Sequence, residues 1–343
     1  MRELNRCSTA DTVSYLATLG LGRHVPEERD LGFSIRSEII HYGQFRTAIQ
    51  KIALRHRRWR TARTAVGMFL SGHSGTGKTT LLRFYESNFP RKEDAEGPTI
   101  PVLYVGTPSR PTIKNLSQAI LDEIGDNVPR GSAEDKTKHI CALFERCGVE
   151  VLIIDEFQHF VEYGNKREAR LASDWLKKLM DDTKVCVILG GLPNGVSVIR
   201  DNIQLARRFS AQHEVRRFDW RNRDDCKEFA SILKHMHSRI PVPCVPLHAP
   251  EFANRMYIAS AGILDYVAKL IDGAMSVAFK QRRKQLDMEA FEEAFAEEVW
   301  SEGPKILNPF NPFNPCAKLR DLVEPGEPFA ALRDDIKKNA TNN

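Results

Sequence analysis

The segment Gly72-His73-Ser74-Gly75-Thr76-Gly77-Lys78-Thr79 constrains this chain more than any other, because it fits G-x-x-x-x-G-K-[ST] at every fixed position. It lies between a strand-like apolar run at 66–70 and a helix-like run that begins at Thr80. A loop in that setting wraps phosphate oxygens with backbone N–H groups, and the helix behind it adds the positive end of its dipole. Lys78 is expected to reach the β and γ phosphates of a nucleoside triphosphate, and the Thr79 hydroxyl to ligate Mg²⁺. His73, Ser74, Thr76 and Thr80 complete the expected nucleotide-binding set with Gly72, Gly75 and Gly77.

Further strand-like runs at 100–105, 151–154, 185–189 and 214–218 alternate with helix-length segments, which predicts a parallel sheet covered by helices on both faces. Ahead of them, Tyr42, Phe45, Ile49, Ile52, His56 and Trp59 recur in steps of three or four and predict one helix with one buried seam. After Trp220 the pattern turns helical. The expected organisation is an N-terminal arm at 1–35, an α/β core at 36–220, a small helical domain at 221–302 and an extended Pro-rich tail at 303–343. Within that tail Asn308-Pro309-Phe310 and Asn311-Pro312-Phe313 form a near-repeat. It reads either as a motif that inserts Phe into a partner or as a strap buried against 263–270 of its own helical domain.

Val151-Leu152-Ile153-Ile154-Asp155-Glu156 ends an apolar strand in two carboxylates, at the sheet edge that the phosphate loop also faces. Asp155 is expected to hold Mg²⁺ and Glu156 to polarise the attacking water. Farther on, Gln204-Leu205-Ala206-Arg207-Arg208-Phe209 offers a guanidinium for a neighbouring copy's nucleotide, with Arg208 preferred over Arg207. Seven scattered cysteines with no C-x-x-C pair argue against a disulfide framework and a zinc knuckle and read as reduced packing residues. Lys and Arg number 50 against 45 Asp and Glu, a net charge of +5 that permits a polyanionic partner. No apolar run reaches the ~20 residues of a membrane-spanning helix, so the expected location is the cytoplasm without membrane contact.

In these motifs the chain resembles the AAA+ ATPases, and among them the TniB/TnsC family of transposition regulators. The landmarks are Gly72–Thr79, Tyr104–Ala119, Asp155-Glu156-Phe157-Gln158-His159-Phe160, Gln204–Phe209 and Ser260-Ala261-Gly262-Ile263. The resemblance implies an ASCE-type P-loop sheet followed by a helical lid, ATP and Mg²⁺ as cofactors, and slow, assembly-dependent ATP hydrolysis. It also implies a homo-oligomeric ring or helical filament around duplex DNA, bound without sequence preference. That assembly would link a TniQ-type target selector to a TniA/TnsB-type DDE transposase. Two departures favour a switch-like enzyme: the polar sensor after the fourth strand is replaced near Gly191-Leu192, and Asp265 stands where many lids carry a sensor Arg.

Two segments suit contacts to a DNA backbone. One is the arginine cluster Arg55, Arg57, Arg58, Arg60 and Arg63 around Trp59, which equally fits a solvated helix end. The other is Thr107, Arg110, Thr112 and Lys114, which the resemblance would place on a loop facing a ring's bore. Competing readings are an AAA+ replication initiator or helicase loader, and an AAA+ ATPase that acts on protein clients.

Overall fold

The structure is a computed structural model and describes residues 34–95, 97–126, 131–164, 166–301 and 308–311. The chain divides into two compact units, Met1–Glu38 and Ile39–Asn343. In the first, the described residues hold one 3-10 turn, Ile35–Ser37, whose start Ser34 caps by accepting the Arg36 N–H. The expected arm at 1–35 otherwise lies outside the described residues.

The second unit carries strands β1 (Gly67–Ser71), β4 (Val102–Gly106), β5 (Val151–Asp155), β6 (Cys186–Gly191) and β7 (Ala211–Glu214) in one sheet, in the order β4-β5-β6-β1-β7. Every pairing in it is parallel. A separate antiparallel hairpin, β2 (Lys92–Asp94) and β3 (Gly97–Thr99), was not visible in the sequence pattern. β4, β5 and β6 are buried along nearly their whole length, which explains why they read as unbroken apolar runs. β7, at one sheet edge, alternates half-buried and exposed residues, whereas β4, at the other edge, is covered and buried except at Gly106. The expected place of β7, 214–218, is therefore shifted: the apolar Val215 and Phe218 are buried, but they follow the strand.

Helices α1 (Gly43–Ala62), α2 (Lys78–Ser87), α3 (Ile113–Ile124), α4 (Ala133–Arg146), α5 (His159–Glu162), α6 (Lys166–Thr183), α7 (Val196–Arg200) and α8 (Ile203–Arg208) belong to the sheet region. Four more follow: α9 (Arg223–Arg239), α10 (Pro250–Ser260), α11 (Leu264–Lys280) and α12 (Met288–Glu298). The seam of α1 is buried as Phe45, Ala48, Ile52, His56 and Trp59, with the expected Ile49 only half-buried beside Ala48 and Tyr42 just ahead of the helix. Its polar members are tied into the sheet region: Trp59 Nε1 donates to Lys184 O at 2.6 Å, and His56 meets the Tyr85 hydroxyl at 3.0 Å and Glu150 at 2.5 Å. Local chemistry sets the helix ends, as in the Ser132/Asp135 capping box of α4.

Cys141, Cys147, Cys186, Cys226 and Cys244 are free thiols. Burial pushes the Cys186 thiol up to about 12, so it stays protonated and acts as a small apolar side chain.

The tail is described only at Asn308–Asn311, and Phe313 lies outside the described residues. Phe310 is fully buried, as a strap requires. Its floor differs from the expected 263–270: the ring packs on Phe252 of α10 and on Phe291 and Phe295 of α12, at centroid distances of 5.6, 5.5 and 6.4 Å.

Candidate functional site: a phosphate loop facing two carboxylates

β1 delivers the chain to the loop at 72–77, and α2 begins at Lys78 directly behind Gly77. Gly75, at φ +74°, occupies backbone space that side chains rarely adopt, and a Cβ there would lie 2.9 Å from Asp265 and Ile263. The first turn of α11 therefore lies on the loop, with the Asp265 N–H donating to Gly75 O at 3.2 Å. The Asp265 carboxylate pairs with Lys269 at 3.3 Å.

Lys78 is 5% exposed and donates from Nζ to Gly72 O and His73 O at 2.8 Å each. Burial holds its ammonium below the ordinary lysine value, and Glu156 and Asp155 oppose that shift. Thr76 Oγ1 donates to His73 O at 2.9 Å, which closes the loop on itself.

β5 brings Asp155 to the same place. Asp155 is fully buried, and its Oδ2 accepts from the Thr79 hydroxyl at 2.6 Å and from the Tyr104 hydroxyl at 2.8 Å. Its Oδ1 accepts the Glu156 N–H at 2.9 Å. The Tyr104 phenol is pushed above its ordinary value, first by burial and then by Asp155, so it remains a donor. Arg83 lies over the Tyr104 ring at 3.5 Å.

Mg²⁺ fits this donor set, because Thr79 and Asp155 present hard oxygens in direct contact. One or two protein oxygens completed by phosphate and water is the usual magnesium arrangement.

Glu156 stands at φ +55°, a left-handed conformation that costs a non-glycine residue about 1–2 kcal/mol. Gln158, which sequence reasoning passed over, donates from Nε2 to Glu156 Oε2 and accepts the Leu192 N–H on Oε1, the latter at 3.1 Å. It is 3% exposed, and a Cβ on Gly191 would fall 2.6 Å from its Oε1. Gln158 thus occupies the space that a side chain at 191 would need. The only signal in the sequence was the pairing of two glycines at 190–191 with an amide two residues beyond the carboxylate. His159 adds a contact to Glu156 at 3.9 Å and meets Thr107 O at 3.2 Å.

The other expected residues lie elsewhere. Arg208 pairs with Asp181 at the end of α6. With Arg55, Arg58 and Arg207 it lines a cavity of about 480 Å³ beside Val66 and Gly67, at the amino end of β1 and away from the phosphate loop. Arg60 pairs with Glu150 at 2.6 Å, Arg63, just past the end of α1, covers the Trp59 ring at 4.4 Å, and Arg57 is exposed. Thr107 is buried with its hydroxyl on Asp155 O at 2.7 Å, and Thr112 caps α3 by accepting the Asn115 N–H. Arg110 and Lys114 are exposed.

Sheet order, phosphate loop and the acidic end of β5 define an AAA+ ATPase. The chain belongs to the TniB family: the family described as Bacterial TniB protein matches residues 33–220. An ORC1-type DNA replication protein of Desulfurococcus amylolyticus is 26% identical over 141 residues, 39% of this chain and 34% of that protein. The chain therefore matches about a third of that relative's length. Among solved structures, the Aeropyrum pernix ORC2 protein in ADPNP-ADP complexes superposes with a TM-score of 0.56 at 18% identity, over 74% of this chain and 67% of that one. CDC6P from Pyrobaculum aerophilum gives 0.54 at 12% identity, over 83% and 71%. The A. pernix ORC1 protein in complex with DNA gives 0.54 at 16%, over 74% and 64%. At these identities the likeness is one of fold.

Proposed function

We propose that this chain is an ATP-dependent regulator of transposition that assembles on duplex target DNA in its ATP-bound form and links a TniQ-type selector to a TniA/TnsB-type transposase in the cytoplasm. Membership of the TniB family over residues 33–220 carries this reading. Hydrolysis then drives disassembly.

In this reading Lys78 exchanges the Gly72 and His73 carbonyls for the β and γ phosphates, and the loop at 72–77 with Lys78, Thr79 and Thr80 holds the nucleotide. Thr79 and Asp155 hold Mg²⁺, which when bound supplies positive charge to the phosphate oxygens. Glu156 orients and polarises the attacking water, and Gln158 fixes the direction of its carboxylate. Asp265 brings the helical region, as a lid, onto the loop.

Arg208 is assigned to the nucleotide of the next copy. Support comes from its position: it lies at the amino end of β1, whereas the phosphate loop lies at the carboxyl end, so head-to-tail contact of copies brings unlike edges together. Such contacts repeat into rings or filaments. DNA contacts are assigned to Arg110 and Lys114, with Thr112 and Thr107 shaping the segment that presents them.

Electron microscopy with ATP and duplex DNA tests the assembly, and capture of the cognate transposase tests the role. A regular ATP-dependent assembly on DNA that captures transposase is the expected result. An assembly that instead loads a replicative helicase would favour the initiator reading, to which the ORC1-type match lends its weight.

A further inference from the structure

The tail segment Asn308–Asn311 is bound as a ligand would be. Its conformation is written locally: the Phe310 N–H donates to Asn308 Oδ1 at 3.0 Å and the Asn311 N–H to Asn308 O at 3.0 Å, a turn that an Asn-Pro start favours. Pro309 has no N–H to leave unsatisfied on burial. Four groups then engage the helical region. Phe310 enters the cluster of Phe252, Phe291 and Phe295. The Asn308 amide donates to Glu292 O at 2.7 Å. Arg255, whose side chain is 7% exposed and held by Glu251 at 3.1 Å, donates from Nη1 to Pro309 O at 2.6 Å and Asn311 O at 3.2 Å.

Those contacts demand an Asn at the first place, a Pro-compatible carbonyl at the second, a Phe at the third and any carbonyl at the fourth. The sequence satisfies them twice, as Asn308-Pro309-Phe310-Asn311 and as Asn311-Pro312-Phe313-Asn314. Asn311 ends the first element and begins the second, so one pocket holds one element at a time. Moving by three residues lengthens the connection to α12 and costs roughly a twofold entropic factor, because loop closure depends only weakly on length.

We propose that the pocket between α10 and α12 is a binding site for an Asn-Pro-Phe-Asn peptide, and that this chain's own Asn311–Asn314 is its second ligand, exchanging with Asn308–Asn311 in the same pocket.

Single and double variants of the full chain separate this from a fixed strap. Phe310→Ala and Phe313→Ala should each lower the melting temperature by no more than a degree or two, since the other Phe takes the pocket. Phe310→Ala/Phe313→Ala should lower it by on the order of 5–10 °C. A Phe310→Ala loss as large as that of the double variant overturns the proposal. The melting temperature of Phe310→Ala should also be independent of protein concentration. Concentration dependence would mean that a second copy supplies the element, which overturns the assignment to the same chain. A fluorescein-labelled Asn-Pro-Phe-Asn-Pro-Phe-Asn peptide should bind the double variant saturably and fail to bind when Arg255→Met is added. Absence of binding to a folded double variant removes the site. If the double variant does not fold, the Phe310→Ala melting temperature alone decides.

Discussion

At the carboxyl edge of the sheet, Lys78, Thr79, Asp155 and Glu156 all have partners within the chain: the ammonium on two carbonyls, the hydroxyl on a carboxylate, that carboxylate also on Tyr104, and the second carboxylate on Gln158. At the amino edge, Arg55, Arg58, Arg207 and Arg208 surround a cavity of about 480 Å³. Among the described residues Asp181 is the one carboxylate paired with any of the four. Arg55 Nε and Arg208 Nη1 are buried without a partner. The Arg55 guanidinium is pushed below its ordinary value by burial and then by Arg58. The first edge is complete by itself and ready to exchange internal partners for a nucleotide. The second concentrates more positive charge than the described residues around it neutralise, and in the proposed assembly the neighbour's triphosphate supplies the balance.

The sharpest test of that contrast is Lys78→Ala, which should leave no measurable ATP binding by calorimetry, because its charge acts on the bound ground state. Arg208→Ala should bind ATP at the parent affinity yet hydrolyse it about 1,000-fold more slowly. Mixing it with Lys78→Ala should restore turnover at interfaces that combine an intact site with an intact arginine. Parent-rate hydrolysis by Arg208→Ala alone would end the assignment of the amino edge.

Glu156→Gln should keep nucleotide affinity, slow turnover on the order of 100- to 1,000-fold and prolong the lifetime of the DNA complex. A variant that turns over normally would move the base elsewhere. For DNA, log affinity should fall linearly with log salt, and Arg110→Ala or Lys114→Ala should each reduce the slope by about 0.9. Unchanged slopes in both and in the double variant would take the DNA path away from the segment before α3.

The smallest effect belongs to Tyr104→Phe, which removes one of the donors to Asp155 and should weaken the magnesium dependence of binding about fivefold. The sign of the pH effect follows from the upward shift of Tyr104: its proton is retained above the ordinary tyrosine range, so the parent's activity should show no loss attributable to this group between pH 7 and 10. A loss in that range absent from Tyr104→Phe would contradict the buried donor.

The phosphate loop, the β5 carboxylates and the α1 seam were legible in the sequence because each is written in consecutive residues or in one helical period. Phosphate binding needs adjacent backbone N–H groups, and a strand buried on both faces needs an unbroken apolar run. Tertiary structure decided what depends on residues far apart in the chain. Gln158 reached its place because β6 ends in glycines that leave room for it. The arginines of α1 and α8 met because both helices converge on the start of β1. Thr107 turned inward to the Asp155 carbonyl through the pairing of β4 with β5. Phe310 found Phe252, Phe291 and Phe295 through a contact that no local periodicity encodes. Burial selects by shape and distance in three dimensions, whereas sequence periodicity reports only which face a residue is on.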